Sequence, residues 1–83
     1  MNIDDLPVLK EDDLPIVVAH LEIVYPNGIS DINYVAGRTK TGSIIYGVRA
    51  QKIKEGLILQ NTHYWSDYSS DVNHQFNLYP LID

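Results

Sequence analysis

Apolar and polar residues alternate along most of the chain, and the phase of that alternation predicts its elements. The longest apolar-rich stretch is Leu14–Tyr25, LPIVVAHLEIVY. Val17, Ala19, Leu21, Ile23 and Tyr25 share one face of an extended strand, and every one is apolar or aromatic, so that face belongs on a core. Ile16, Val18, His20, Glu22 and Val24 form a mixed face, as on a half-covered sheet. Pro26-Asn27-Gly28 closes the strand, and Asn-Gly suits a tight hairpin return. A second strand follows over Ile29–Gly37, with Ile32, Tyr34 and Ala36 inward and Asp31 and Asn33 outward. After a turn at Arg38–Gly42, a third strand carries Ile44, Tyr46 and Val48 on one face, and Gly47 marks a bulge or a close approach. Leu57–Trp65 reads as a fourth strand, with Leu57, Leu59, His63 and Trp65 opposite Ile58, Thr62 and Tyr64. SDYSSD, residues 66–71, is a loop by composition. Val72–Tyr79 is a fifth strand with Val72, His74, Phe76 and Leu78 inward; Pro80 ends it and leaves Leu81 and Ile82 for a rim.

Residues 49–56, RAQKIKEG, fit two descriptions. Their composition favours a helix and Gly56 would end one. Two turns with Ile53 as the only large apolar anchor make a poor helix, however. A strand to Ile53 followed by a turn at Lys54-Glu55-Gly56 is preferred. The fold class is therefore all-β: a small antiparallel sheet of about five strands, a meander or partly closed barrel, with an extended acidic N-terminal arm. The alternative is a β-rich α+β fold with one short helix near 49–56. The division is an arm over residues 1–13 and a single β-rich domain over 14–83. A flat sheet of this size leaves a face uncovered, which makes a homodimer a further expectation.

The arm contains an eight-residue repeat, IDDLPVLK then EDDLPIVV. Each proline drives the preceding leucine, Leu6 or Leu14, toward extended geometry. The ordinary state of such a terminus is frayed and solvated. Docking on a basic groove of a partner, and folding back on the chain's own basic segment, are the other two readings.

Charge sharpens this picture. The chain of 83 residues carries a net charge of −5. The sign is segregated: Asp4, Asp5, Glu11, Asp12 and Asp13 crowd the arm, whereas Arg38, Lys40, Arg49, Lys52 and Lys54 occupy a middle stretch free of acids. Net acidity opposes nonspecific nucleic-acid binding. The chain has no cysteine, so disulfides, thiolate metal sites and a cysteine nucleophile are excluded. The acidic N-terminus is not a secretory signal, and the longest apolar run, Ile16–Ala19, is far too short for a membrane span. A cytoplasmic protein is the expectation.

Candidate chemistry is sparse. Gly37–Ser43, GRTKTGS, has the glycine spacing of a phosphate loop but lacks the lysine after its second glycine, and a strand follows where a helix would be needed. His20, His63 and His74 lack ligand spacing and read as half-buried, hydrogen-bonded residues. Ser69, His63 and Asp67 have neither a nucleophile elbow nor an oxyanion loop. No catalytic residue, metal or cofactor is assigned. The leading expectation is a non-enzymatic, protein-binding module: a stoichiometric inhibitor or immunity-type protein, phage-like or mobile-element-like in character, acting on a protein that is basic or handles nucleic acid. Its contact residues would be Tyr64, Trp65, Tyr68 and Asp67, with Asp12 and Asp13 from the arm, because Tyr and Trp dominate binding hot spots. The competing role for Trp65 is a core plug, with Tyr64 on a rim. Two alternatives are a nucleotide- or anion-binding protein using Arg38, Lys40, Arg49 and Lys52, and a structural subunit of a larger assembly.

Overall fold

The computed structural model describes residues 1–81. After a short 3-10 turn at Ile3–Asp5 come seven strands: β1 Ala19–Val24, β2 Ser30–Arg38, β3 Ile44–Gly47, β4 Ala50–Ile53, β5 Gly56–Leu59, β6 His63–Trp65 and β7 Gln75–Pro80. Five of them form an open antiparallel sheet in the order β6–β3–β2–β1–β7, and β4 and β5 pair as a separate ribbon. The all-β fold and its five-stranded antiparallel sheet are as expected from the alternation. The sheet does not close, and the last strand returns to lie beside the first, as in a Greek key.

The 49–56 stretch is the strand pair β4–β5 turning at Lys54-Glu55, not a helix. The expected fourth strand is divided. β5 belongs to the ribbon, β6 to the edge of the main sheet, and Gln60-Asn61-Thr62 bends between them. That bend explains Gly47: a Cβ there would lie 2.5 Å from the Asn61 carbonyl oxygen and 3.1 Å from Leu59. Leu14–Tyr25 is also shared between the two layers. Leu59 N–H donates to the Pro15 carbonyl and Val17 N–H to the Leu57 carbonyl, so this part runs beside β5; from Ala19 the chain pairs in the main sheet. Val17 accordingly packs with Ala36, Ile45 and Leu59 between sheet and ribbon. Ala19 and Leu21 pack on the opposite side with Leu6, Val35, Ile44 and Leu78.

The second strand corrects the predicted phase. Leu21 pairs with Asn33 and Ala19 with Val35, so Asn33 and Val35 share the core side of β1. Ile32, expected inward, is 59 % exposed. The cause is the length of the hairpin loop. Tyr25 N–H donates to the Ile29 carbonyl and Gly28 N–H to the Tyr25 carbonyl, leaving three residues, Pro26–Gly28, in the loop. A two-residue Asn27-Gly28 loop would shift the register by one and carry Ile32, Tyr34 and Ala36 to the core side. Gly28 has φ +85°, the left-handed geometry that completes a three-residue loop of this kind. Further along, Val35 and Ala36 are buried on opposite sides of the sheet, as alternation requires where both sides carry a core, and a bulge shifts the pairing with β3 between Val35 and Gly37. Val72, predicted inward, is 94 % exposed because β7 starts only at Gln75; Phe76 and Leu78 do reach the core. Leu81 is exposed, and Ile82 lies outside the described residues.

The arm is not frayed. Asp5 N–H donates to the Asn2 carbonyl and the Asp5 carboxylate accepts from Asn2 N–H, which shapes the first turn. Leu6 follows into the main core at 2 % exposure. The next residues lie along the end of β2: Arg38 N–H donates to the Pro7 carbonyl, Leu9 N–H to the Arg38 carbonyl, and Arg38 Nε–H to the Leu6 carbonyl. The fold-back on the basic segment thus uses the arm's backbone groups, not its carboxylates, with the Arg38 side chain supplying one of the donors. Gly37 permits it, since a Cβ there would meet the Pro7 carbonyl oxygen at 2.5 Å.

Two stability outcomes follow. Leu6→Ala should lower the unfolding free energy by about 3 kcal/mol, the usual cost of emptying a fully buried leucine site, read as a reduced urea midpoint. Gly28→Ala should cost about 1–2 kcal/mol, although among the described residues no atom beyond its two chain neighbours lies within 4 Å of the added Cβ. Gly28→Asn should recover part of that loss, because Asn tolerates positive φ.

Candidate functional site

The ribbon and the arm leave part of the sheet bare. On the side that carries Leu21 and Ile44, no layer of the described residues lies over the half around Ile23, Tyr25 and Tyr46. A cavity of about 210 Å³ there is lined by Ile23, Tyr25, Tyr46, Trp65, Asp71 and His74. A second lobe of about 340 Å³ shares Ile23, Tyr25 and Tyr46 and adds Asp31, Ile32, Asn33 and Val48. Together they form one open aromatic cleft across β1, β2, β3 and β6.

Its walls are held by directed contacts. Trp65 packs edge-on against Tyr68 and Phe76, with ring centroids 5.9 and 5.7 Å away, and Tyr68 meets Phe76 at 5.2 Å. Such edge-to-face pairs are individually favourable beyond the area they bury. The Tyr68 hydroxyl donates to the Gly42 carbonyl at 2.9 Å, clamping the 66–71 loop to the β2–β3 turn. Tyr25 meets His74 edge-on at 5.1 Å and donates its hydroxyl to Asp31 Oδ2 at 2.7 Å. That hydrogen bond to a carboxylate raises the Tyr25 pKa above the ordinary phenol range. Asp71 Oδ1 accepts from the N–H groups of Asn73 and His74, and its Oδ2 lies 3.0 Å from His74 Nδ1. These contacts, led by the Asn73 N–H, hold the Asp71 carboxyl below its ordinary range. On the far side of the sheet, Asn77 Nδ2 and the Tyr79 hydroxyl donate to Glu22 and lower its pKa in the same way.

Trp65 thus serves the core and the cleft at once, and Tyr68 is a structural clamp. Tyr64 points to the opposite side, 65 % exposed. There it lines a separate groove of about 330 Å³ with Leu9, Lys10, Asp13, Thr39 and Ile45, so the sheet edge and the arm bring Tyr64 and Asp13 together. Asp13 Oδ2 also accepts from Lys10 N–H. Asp12 and Asp67 are exposed and line neither groove. Arg38 and Lys40 sit at one end of β3 and Arg49 beyond its other end, while Lys52 is on the ribbon. None of the four lines the aromatic cleft or the Tyr64 groove.

Half-burial suits His74, whereas His63 is exposed and tilted against Tyr46. Among the described residues no group of three or more His, Asp or Glu side chains is arranged to hold a metal ion, and no helix is long and apolar enough to cross a membrane. No protein family, curated protein or solved structure matches the chain.

Alternation alone missed Asp31, Asn33 and Asp71 as cleft residues, although it did place His74 on the face of Phe76 and Leu78. Asp31 and Asn33 depend on the loop length. The Asp71-Val72-Asn73-His74 run did carry a local signal, since an aspartate commonly caps backbone amides two and three residues on. Both lowered carboxyls release protons more readily in the folded chain than in the unfolded chain. Their stabilisation is present above the ordinary carboxylate range and is lost as pH falls through the lowered native values. Urea unfolding across an acidic pH series should show stability falling in that window, with a shallower fall in Glu22→Gln and in Asp71→Asn.

Proposed function

We propose that the chain is a small, non-enzymatic protein-binding module whose recognition surface is the aromatic cleft. It would act stoichiometrically, in the manner of an inhibitor or immunity protein, on a partner that is basic or handles nucleic acid. The reading rests chiefly on one observation: Tyr25, Tyr46 and Trp65 stand on an uncovered sheet face with two aspartates beside them. Buried elsewhere, these rings would simply be core. Left open, they supply large contact area at low entropic cost, the character of an interface centre. The net charge of −5 favours encounter with a basic surface. A phage or mobile-element origin and a cytoplasmic site of action accord with the small, acidic, cysteine-free character of the chain, and belong to the same proposal.

Quantitative capture from lysate, followed by affinity measurement on the recovered partner, tests this with two variants. Tyr46→Ala should weaken the partner by about thirtyfold, the scale of a hot-spot residue. Tyr64→Ala, on the opposite face, should leave affinity within about twofold of the parent. Equal capture by Tyr46→Ala and the parent would remove the cleft from the interface.

A further inference from the structure

We infer that the cleft is built to receive an arginine side chain of the partner protein. The inference rests on the binding reading above and assigns it a chemistry. Asn33 carries it. This residue is only 5 % exposed, yet its side chain makes no hydrogen bond among the described residues, and it lines the cleft. No fully buried side-chain polar atom lacks a partner among the described residues, so the Asn33 amide keeps a little solvent access, and the cavity that Asn33 lines is the cleft. A polar group kept at the floor of an aromatic groove calls for a polar occupant.

The surroundings give that occupant its sign. Asp31 stands two residues from Asn33 on the same face of β2, about 7 Å along the strand. Its Oδ2 is taken by the Tyr25 hydroxyl, and its Oδ1 makes no hydrogen bond among the described residues. Asp71 adds a second negative charge at the other lobe, although both of its oxygens already have partners. Among the described residues no Lys or Arg side chain lines either lobe. Cations are drawn to aromatic faces, and Tyr25, Tyr46 and Trp65 line the groove.

Between the two cationic side chains the geometry selects arginine. A guanidinium is planar, stacks on an aromatic ring, and offers N–H donors in several directions at once. It can donate to Asp31 Oδ1 and to the Asn33 amide oxygen together while its face lies on Tyr25 or Tyr46. An ammonium is compact and more strongly hydrated, and gains less from flat walls.

Nuclear magnetic resonance titration at low ionic strength tests this with three small probes: Nα-acetyl-arginine amide, Nα-acetyl-lysine amide and the neutral Nα-acetyl-citrulline amide. The arginine probe should shift the signals of Ile23, Tyr25, Asn33, Tyr46 and the Trp65 indole saturably. The lysine probe should bind more weakly, and the citrulline probe should leave those signals in place. Asp31→Asn and Asn33→Leu should each weaken the arginine probe by about tenfold, the loss of one charge-assisted hydrogen bond. Unchanged β7 and ribbon signals in each variant show that the fold is retained. Equal shifts from citrulline, saturation at the acidic arm instead, or no saturable shift at all would each overturn the assignment. If arginine fails while Tyr46→Ala still weakens the partner, the binding role stands and the arginine chemistry falls.

Discussion

The register between β1 and β2 is the constraint on which the rest of the structure depends. It is set by three loop residues, Pro26–Gly28, with Gly28 in left-handed geometry. That count puts Val35 opposite Ala19 in the core and Asn33 opposite Leu21. A loop shorter by one residue would reverse every side chain on β2. It would turn Asn33 and Asp31 away from the side of Leu21 and Ile23 and put Ile32 and Tyr34 there, removing the carboxylate and the amide from beneath the aromatic rings. The apolar price of the observed register is an exposed Ile32; its result is a polar floor under an aromatic groove.

Two cores back one sheet, and each needs a segment from outside it. Leu6, from the arm, seals the core beneath Leu21 and Ile44. Leu57 and Leu59, from the ribbon, seal the other against Val17 and Ile45. Small domains bury a modest share of their surface, so an arm that looks dispensable by composition becomes part of the interior. The acidic side chains around Leu6 stay in water while the backbone of Pro7–Leu9 engages β2.

Much of this was legible in the sequence, and the gaps have specific causes. The inner face of Leu21 and Ile23, the core positions Phe76 and Leu78, the Lys54-Glu55 turn and the crowding at Gly47 all follow from local pattern. Alternation reports that a strand has two faces but does not report which one meets the core when both are partly apolar. Ile32 and Tyr34 against Asn33 and Val35 is such a case, and loop length decides it. The divided fourth strand was hidden because Gln60-Asn61-Thr62 lacks glycine and proline. The burial of Leu6 was hidden because it depends on long-range packing against β2. Of the candidate contact residues, Trp65 lies in the cleft and Tyr64 on the far side, as their opposite parity requires.

The pairing of β1 with both β2 and β7 has a consequence for synthesis. β2 follows β1 by a few residues, whereas Asn77 and Tyr79 of β7 meet Glu22 across 55 and 57 positions. Until β7 is made, β1 presents an unpaired edge, with Leu21 lacking its neighbour Leu78. A chain terminated early therefore carries a sticky strand that the finished protein hides. Pairing with β7 is what makes β1 an interior strand, so loss of β7 would turn it into an exposed edge.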